Sequence, residues 1–598
     1  MKRARNGLVI LNVILLISTI LIRTQYMLNA FYVAMTPVVI STIIIWKQRE
    51  FELRINKKYL AFSFILSITF ILMLSFEQAI KMILQMNNEL NHLIFKVLFL
   101  PIVFLDSFVC IYCLLYKSFD IQVKNKVSYT DNTDGFKSFF IYKPVWIIVA
   151  TAVFFYLAYF PGDPCSDVPV SIIESGHVFS DWHTLGWEFF MRGCVYFTKN
   201  WSCLVIAQAF LLIFAHNYVV GFIYKRFRSE LVCYVYAFLN VTIGIMQFRY
   251  MVNMTKDINF LFTMMFFAVA VMSIADKEER TAKDFAVLAV SGLFASLYRH
   301  FSLEIVIVTL VILLGALILN RKNHDSKKQA GIILSVIISI IIVHTFLIDI
   351  LGFGLLKAEK NPDYVKFSIP MNVVSAMAYR NQVSGEHIPD EIIAEMEEIM
   401  PIEKWSDCYC SYDADVVSRR WNKVGDDILK LNDVKMQKRI IRLNWYFLTH
   451  NTKSYVISFF DINSIVWEIA TPIDEEVYYV VSEDRTDVMH LHKGEPFYAI
   501  EDFVEYISRR PILSALMLRG GMAVFVLLLS FSILILKKSR LAIGVIPIGL
   551  YAMSLLISIP QANSRYSMPI IVFAILFSVI SILEYSRVKA IDSKGEVF

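Results

Sequence analysis

Charged residues are scarce in this sequence. Only 18% of its 598 residues are Asp, Glu, Lys or Arg, and 57% are hydrophobic, whereas a soluble domain carries about 25% charged residues. Residues 351–511 hold 27 of the 52 acidic residues but only 18 of the 57 basic ones. A nucleic-acid-binding protein needs basic residues clustered on a soluble face. The composition therefore excludes that class and indicates a basic membrane protein with an acidic insert.

The eight cysteines lack the spacing of metal ligands. Cys408 and Cys410 are too close together for the usual zinc pair. Cys165 and Cys194 fall in one loop, where they either form a disulfide or stay separate thiols, because the sequence does not establish pairing. No cofactor is certain, and a divalent metal ion stays an alternative because separated carboxylates do not specify a metal site.

No small-residue cleavage site follows the apolar run 7–22, so we predict that it is an uncleaved first span. Further apolar runs approach the length of about 20 residues that a bilayer requires. They fall near 27–46, 58–76, 91–116, 144–160, 203–223, 231–249, 257–275, 283–299, 302–320, 330–351, 513–536, 540–558 and 566–585. We predict a polytopic α-helical membrane protein with about 14 transmembrane helices. Residues 1–350 and 512–598 would form its transmembrane parts.

Basic residues concentrate in alternate loops, such as Lys225–Arg228 and Lys537–Arg540. The positive-inside rule therefore predicts a multi-pass protein of the cell membrane with both termini in the cytoplasm. The remaining polar clusters would then share the outer face. They are the loop 161–200, the turn 249–257, Arg299-His300, the insert 351–511 and the segment 560–565.

The insert 351–511 is predicted to be an extracytoplasmic domain of mixed α/β structure. Residues 389–400, which begin with acidic residues, and residues 433–449 are typical of helices. Residues 454–482 favour strands, although their periodicity is ambiguous. An acidic outer domain either is simply solvated or covers a membrane site as a lid.

Candidate catalytic acids lie in the loop 161–200. Asp167 follows Pro161-Gly162, which turns the chain back towards the membrane. A carboxylate there suits a general base that takes the proton of an acceptor hydroxyl. Asp163 is the competing candidate, and its structural alternative is to accept hydrogen bonds within the turn. We predict that Asp167 is the catalytic base and that Asp163 is structural or contacts substrate.

The tripeptide Asp181-Trp182-His183 suits an acceptor sugar, because a Trp face stacks on sugar C–H groups while Asp and His bond hydroxyls. The alternative is an interfacial helix in which Trp182, Trp187 and the phenylalanines after it anchor at lipid headgroups. Asp257 opens a predicted helix, where it either caps the helix, acts as a second acid or helps to hold a metal ion.

Cations at the predicted span ends suit a lipid-phosphate leaving group. Arg299 and Arg565 offer planar guanidinium groups that grip phosphate oxygens, and His300 and Lys256 add further contacts. The alternative is snorkelling, in which a cation at a helix end extends to the interface. We predict snorkelling for Arg249.

The order of these motifs resembles the GT-C class of polytopic glycosyltransferases, which use sugars carried on polyprenyl phosphate. The similarity is to a poorly characterised bacterial branch and covers most of residues 140–585. The matching residues are Pro161, Gly162, Asp167, Asp181, Trp182, His183, Lys256, Asp257, Arg299, His300, Arg565 and Tyr566, with the segments 368–372 and 403–405. The sequence departs from the pattern at Thr184, where proline is usual, at Asn372 and at Ser171, where glutamine is common.

The resemblance implies a GT-C-like fold and an inverting transfer of sugar from a polyprenyl-phosphate carrier. The acceptor would be a cell-surface polysaccharide or lipid at the extracytoplasmic face. One alternative is a flippase for lipid-linked cell-envelope precursors, which would need ionisable groups at mid-depth on broken helices. Another is a sensor or assembly protein that binds a polymer through residues 351–511.

Overall fold

The computed structural model describes residues 57–84, 100–117, 137–138, 140–163, 179–198, 200–276, 280–319, 325–411, 413–414, 417, 425–469, 495–559 and 561–593. These residues are almost entirely helical, since a helix satisfies its own backbone hydrogen bonds inside a bilayer. One short hairpin pairs β1 (Lys137–Ser138) with β2 (Ile141–Tyr142) in antiparallel register. The protein is a helical membrane protein, as the sequence predicted.

The first part of the chain supplies most of the apolar helices. They are α1 (Lys57–Leu84), α2 (Leu100–Lys117), α3 (Val145–Ala158), α4 (Leu185–Thr198), α5 (Ser202–Phe227), α6 (Glu230–Thr242), α7 (Met246–Val252), α8 (Lys256–Asp276), α9 (Ala282–Leu297), α10 (Ser302–Leu319) and α11 (Asp325–Thr345). A π-helical segment, Phe346–Leu355, extends α11. A short 3₁₀ helix, Asp181–His183, precedes α4.

The second part contains the insert and the last membrane helices. The predicted insert, 351–511, holds α12 (Ser368–Ser384), α13 (Asp390–Glu397), α14 (Ile402–Cys408), α15 (Val434–His450), α16 (Thr452–Ile462), α17 (Ser464–Trp467) and α18 (Glu495–Ser508). Then follow α19 (Pro511–Met517), α20 (Gly520–Leu536), α21 (Ile546–Ser558) and α22 (Ser564–Ser593). Three 3₁₀ helices occupy Asp363–Phe367, Gly425–Asn432 and Arg540–Val545.

Six described helical segments are long and apolar enough to cross a membrane, or seven if α6 and α7 form one span bent by 60°. Three shorter apolar helices have 10–17 residues, fewer than the roughly 20 that a perpendicular span needs. The predicted runs 7–22 and 27–46 lie outside the described residues. The total of about 14 spans therefore stays a prediction.

Helices α8 and α22 form the centre of the membrane part. In each, 89% of the apolar window is buried, against 22–44% in the other four long segments. Helices that are hydrophobic all round belong in such a position, because no face of theirs tolerates water. The two helices contact each other, and their first turns, at Lys256 and Ser564, lie at the same end of the bundle.

The opposite end of the bundle carries a cluster of ion pairs centred on Arg226. Arg226, near the end of α5, binds Asp276 at 2.7 Å and Glu584 at 2.8 Å. These residues belong to the final turns of α5 and α8 and to the later part of α22. The basic loop after α5 and the loop after α8 therefore share one end, as the predicted topology requires. Its cytoplasmic location stays a prediction.

The insert has its own hydrophobic core, built from residues between Met371 and Phe447. The predicted helices near 389–400 and 433–449 are confirmed as α13 and α15. The strands predicted from residue 454 are wrong for the described part, because 454–467 is helical. In α16 the buried residues 454, 457, 458 and 461 follow helical spacing. The described insert is thus helical instead of mixed α/β, and the rest of the predicted strand region lies outside the described residues.

Two segments that carry the family resemblance, 368–372 and 403–405, contribute to the hydrophobic core of the insert. Trp405 is fully buried, and its indole N–H donates to the Met396 carbonyl at 3.2 Å. The Asn372 amide donates to the Cys410 carbonyl at 2.9 Å. Buried polar groups need such partners. These motif residues therefore stabilise the insert.

Candidate functional site

A buried carboxylate joins two arginines where the central helices begin. Asp257, in the first turn of α8, is 0% exposed and forms an ion pair with Arg299. The Arg565 Nε lies 3.8 Å from the second Asp257 oxygen. Both arginine side chains are 13% exposed. Three predicted site residues, from α8, the turn before α10 and α22, are thus brought together.

The turn between α9 and α10 aims Arg299 at this carboxylate. Phe301 takes a positive φ of 63°, which reverses the chain direction within a few residues. The Ser302 backbone N–H donates to the Arg299 carbonyl at 3.2 Å and closes the turn. His300, the adjacent predicted phosphate ligand, is exposed on the same turn. The structure therefore separates the two predicted ligands, with Arg299 directed inward and His300 outward.

Aromatic rings enclose the Arg299 guanidinium. Its central carbon lies 5.8 Å from the Phe260 ring centroid, 5.2 Å from that of Tyr551 and 5.1 Å from that of Tyr566. The Tyr551 hydroxyl donates to the backbone carbonyl of Tyr566 at 3.0 Å, which fixes the Tyr551 ring. Such cation–π contacts hold a desolvated guanidinium in a single orientation.

Residues at the start of α22 hold Arg565 in place. Its Nη2 donates to the Tyr566 hydroxyl oxygen at 2.9 Å, and its backbone N–H donates to Asn563 Oδ1 at 3.0 Å. The neighbouring Ser564 hydroxyl shares a 2.5 Å hydrogen bond with the Tyr250 hydroxyl. The pair Arg565-Tyr566 thus forms one rigid unit at the start of α22.

The Asp181–His183 segment lies beside the first turn of α8. His183 Nδ1 is 3.5 Å from Lys256 Nζ. Burial raises the pKa of Asp181 above its ordinary value, although a backbone hydrogen bond from Leu185 and the charge of Lys256 act in the opposite direction. Trp182 is part of the same 3₁₀ helix. Asp181 and His183 of the predicted acceptor segment therefore lie beside the predicted phosphate ligand Lys256, as expected if these residues share one face of the membrane.

The start of the insert contacts the same segment through the backbone of Glu359 and the side chain of Asn361. Asp181 N–H donates to the Glu359 carbonyl at 2.9 Å, and Glu359 N–H donates to the Phe179 carbonyl at 2.7 Å. The Asn361 amide donates to the Asp181 carbonyl at 3.0 Å. The start of the insert therefore helps to fix the loop that carries Asp181 and His183.

Tight packing also positions this segment. Gly186, at the start of α4, lies against the last residue of α9, and a Cβ at this position would clash with the Leu297 carbonyl. The absence of a side chain lets α4 approach α9 closely. This contact places the 181–184 turn next to the turn that carries Arg299.

Thr184 shows why the sequence departs from the resembled pattern here. Its φ is 78° and its side chain is 5% exposed. Proline is locked near a φ of about −65°, so the proline that is usual after Asp-Trp-His does not fit this turn.

We expect Thr184→Pro to destabilise the protein by more than about 1 kcal/mol, because the native φ is closed to proline. Thr184→Gly should be stabilising by up to about 1 kcal/mol, since glycine takes a positive φ without strain. Thermal unfolding of purified protein in one detergent would measure both changes. A proline variant as stable as the original chain would contradict the left-handed turn.

Two predicted catalytic acids have different outcomes. Asp167 lies outside the described residues, as does Cys165 of the possible Cys165–Cys194 pair. Asp163 is 3% exposed, and its backbone N–H donates to the Val252 carbonyl at 2.9 Å. The preceding Gly162 has a φ of 137°. The backbone bond fixes Asp163 against α7, and the role of its carboxylate stays a prediction.

Arg249 does not snorkel, and that prediction is wrong. Its side chain is 0% exposed, and it donates to Glu501 through Nε at 3.1 Å and Nη2 at 2.9 Å. The Tyr159 hydroxyl donates to the same carboxylate. No sequence pattern indicates this pair, because the partners are 252 positions apart and one of them lies in the acidic insert. The bidentate bond ties α18 to α7.

The alternative of an interfacial anchor is wrong for Trp187. It is fully buried and its ring stacks with Phe190 at 6.2 Å between centroids, so it does not anchor at lipid headgroups. That alternative failed because the apolar face of α4 is covered by neighbouring helices instead of lipid.

Within the described part of the chain, no group of three or more His, Cys, Asp or Glu residues is placed to hold a metal ion.

Comparison with known proteins identifies the family of this chain. The chain fits the model of a family described as a family of unknown function, DUF6020, over residues 175–596. This range covers more than half of the chain, so the protein belongs to that family. No curated protein matches the chain. No solved structure matches it either.

Proposed function

We propose that this member of the DUF6020 family is a membrane glycosyltransferase. It would transfer a sugar from a polyprenyl-phosphate carrier to a cell-surface polysaccharide or lipid acceptor at the extracytoplasmic face. The observation that carries the proposal is the cluster in which Asp257 holds Arg299 and Arg565 together at the start of the central helices. Sugar transfer from a lipid phosphate needs fixed positive charge at the leaving group.

The cluster supports a phosphate site through its charge balance. Arg299 and Arg565 are close enough to repel each other, and the single charge of Asp257 offsets only one of them. Lys256 adds a further cation one residue away. The side chains of Arg299 and Arg565 are each 13% exposed, so a ligand can reach both guanidinium groups. A phosphate group would therefore meet a net positive site whose donors are already oriented, which lowers the reorganisation that charge development requires.

The acceptor would bind on the adjoining 181–183 segment. Asp181 and His183 supply hydroxyl partners, and Trp182 supplies a ring for stacking on a sugar face. Because His183 lies 3.5 Å from Lys256, an acceptor held here would be close to the phosphate cluster. Proximity of this kind is what a direct transfer requires.

Asp167 remains the proposed general base of an inverting reaction. It follows Asp163 by four residues, and Asp163 is fixed to α7 through its backbone. The carboxylate would take the acceptor hydroxyl proton as the hydroxyl oxygen attacks the anomeric carbon. The carbon–phosphate-oxygen bond would break at the same time, and the arginines would stabilise the departing lipid phosphate.

A flippase for lipid-linked precursors is the second candidate. The observation that favours it is the break between α6 and α7, which are bent by 60°. Discontinuous helices line substrate paths in many transporters. Reconstituted protein that moves lipid-linked sugar across vesicles without transferring the sugar would select this function over the transferase.

Envelope glycans and lipids of cells that carry variant chains provide the test of the transferase. We expect Asp167→Asn and Arg565→Gln each to remove a sugar substituent that mass spectrometry detects with the original chain. Arg565→Gln should lower activity by about 10²-fold or more, the cost of losing one oriented donor at developing charge.

The matched control is Lys366→Gln, which removes an exposed cation of the insert and should leave the substituent unchanged. Membrane abundance of each variant must equal that of the original chain. An unchanged substituent with Asp167→Asn and Arg565→Gln at full abundance would refute the proposed mechanism.

A further inference from the structure

A groove opens at the end of the bundle opposite the Asp257 cluster. It holds about 580 Å³ between the last turns of α10 and α20 and the segment 540–546. Its walls are mainly apolar, and two arginines, Arg280 and Arg540, line the same space. The groove belongs to the end where Arg226 binds Asp276, which the positive-inside rule predicts to be cytoplasmic.

The groove combines an apolar wall with positive charge. Among its described lining residues there is no carboxylate, although Asp284 acts electrostatically on Arg280. Burial, followed by the charge of Arg540, lowers the pKa of Arg280. Arg280 and Arg540 carry like charges, and the described lining residues supply no carboxylate to neutralise them, so an anion is the complement of this site.

The wall continues onto the apolar surface of the helices. Ile312 and Ile535 line the groove and are 39% and 42% exposed, and Leu319 is 86% exposed at its edge. In a membrane protein such side chains face lipid chains. A molecule that places an anionic head on the arginines can therefore continue along this wall as a hydrocarbon chain.

We propose that this groove binds an anionic phospholipid of the adjoining leaflet, with its phosphodiester on Arg280 and Arg540 and an acyl chain along α10 and α20. Basic recesses between helices at the cytoplasmic side suit such headgroups. A soluble anion would not use the apolar wall, and a zwitterionic headgroup would bring its own cation to the two arginines. The site is separate from the proposed catalytic cluster and does not depend on the proposed function.

Native mass spectrometry of the full-length protein in detergent, titrated with phosphatidylglycerol, tests this assignment. Arg540→Gln should weaken binding about fivefold, the factor expected for one basic residue at an anionic lipid. Arg540→Lys should retain most of the affinity. Ala316→Phe fills the groove from an exposed position without changing charge, and it should also weaken binding.

The matched control is Lys283→Gln, which removes an exposed cation from the same end of the bundle and should bind phosphatidylglycerol as the original chain does. Original affinity in both Arg540→Gln and Ala316→Phe would overturn the proposal. So would displacement of the lipid by inorganic phosphate at equal concentration, or tighter binding of undecaprenyl phosphate that depends on Arg540.

Discussion

Replacement of Asp257 by alanine is expected to destabilise the protein by about 3–5 kcal/mol, the range for removing one partner of a buried ion pair. The carboxylate is 0% exposed and lies between Arg299 and Arg565. Without it the two guanidinium groups repel each other in a site that water barely reaches. Thermal unfolding in a single detergent, with protein amount in membranes as a second readout, would measure the loss.

The double variant Asp257→Asn with Arg299→Met should recover part of this loss, because it removes one of the two guanidinium groups that would otherwise repel each other. Asp363→Ala is the control, since Asp363 is an exposed carboxylate of the insert, and we expect no measurable change in its unfolding temperature. A mild effect of Asp257→Ala alone would show that the arginines do not depend on this carboxylate. That result would also remove the main support for a preorganised phosphate site.

The Arg249–Glu501 pair should respond asymmetrically to substitution. Arg249 is 0% exposed whereas the Glu501 side chain is 20% exposed. Glu501→Ala leaves a fully buried guanidinium without its carboxylate, which costs about 3–5 kcal/mol. Arg249→Met should cost less, because the remaining carboxylate still reaches water. Thermal unfolding and limited proteolysis near α18 would report both changes.

Glu505→Gln is the matched control for this pair. It changes a carboxylate on the same helix whose partner, Arg509, is 75% exposed, and an exposed pair of this kind contributes about 0–1 kcal/mol. The combined variant Arg249→Met with Glu501→Leu should be more stable than Glu501→Ala, since it leaves no buried charge. Equal losses for both single variants would contradict the difference in burial.

Much of the helical architecture could be predicted from hydropathy, because the apolar run that makes a span is a local property. The predicted run 257–275 is α8, Lys256–Asp276, and the predicted run 302–320 is α10, Ser302–Leu319. Local sequence also placed Lys256, Asp257, Arg299 and Arg565 at helix ends, where polar groups must leave the apolar layer.

Predictions from sequence pattern failed where packing against neighbouring helices determines the structure. Residues 454–467 were predicted as strand because an apolar run with β-branched and aromatic residues suits either structure, and packing against the second core selects the helix. Trp187 fits an interfacial anchor equally well by composition, and its complete burial follows from which helix covers it. Neither choice is encoded in spacing alone.

The sequence by itself determined that this is a helical membrane protein with an acidic insert, and which ionisable residues stand at the ends of its helices. Only the tertiary structure decided which of those ends meet: Asp257 with Arg299 and Arg565, and Arg249 with Glu501. The physical reason is that hydrophobicity acts on each segment separately, whereas the pairing of buried charges depends on how all segments pack together.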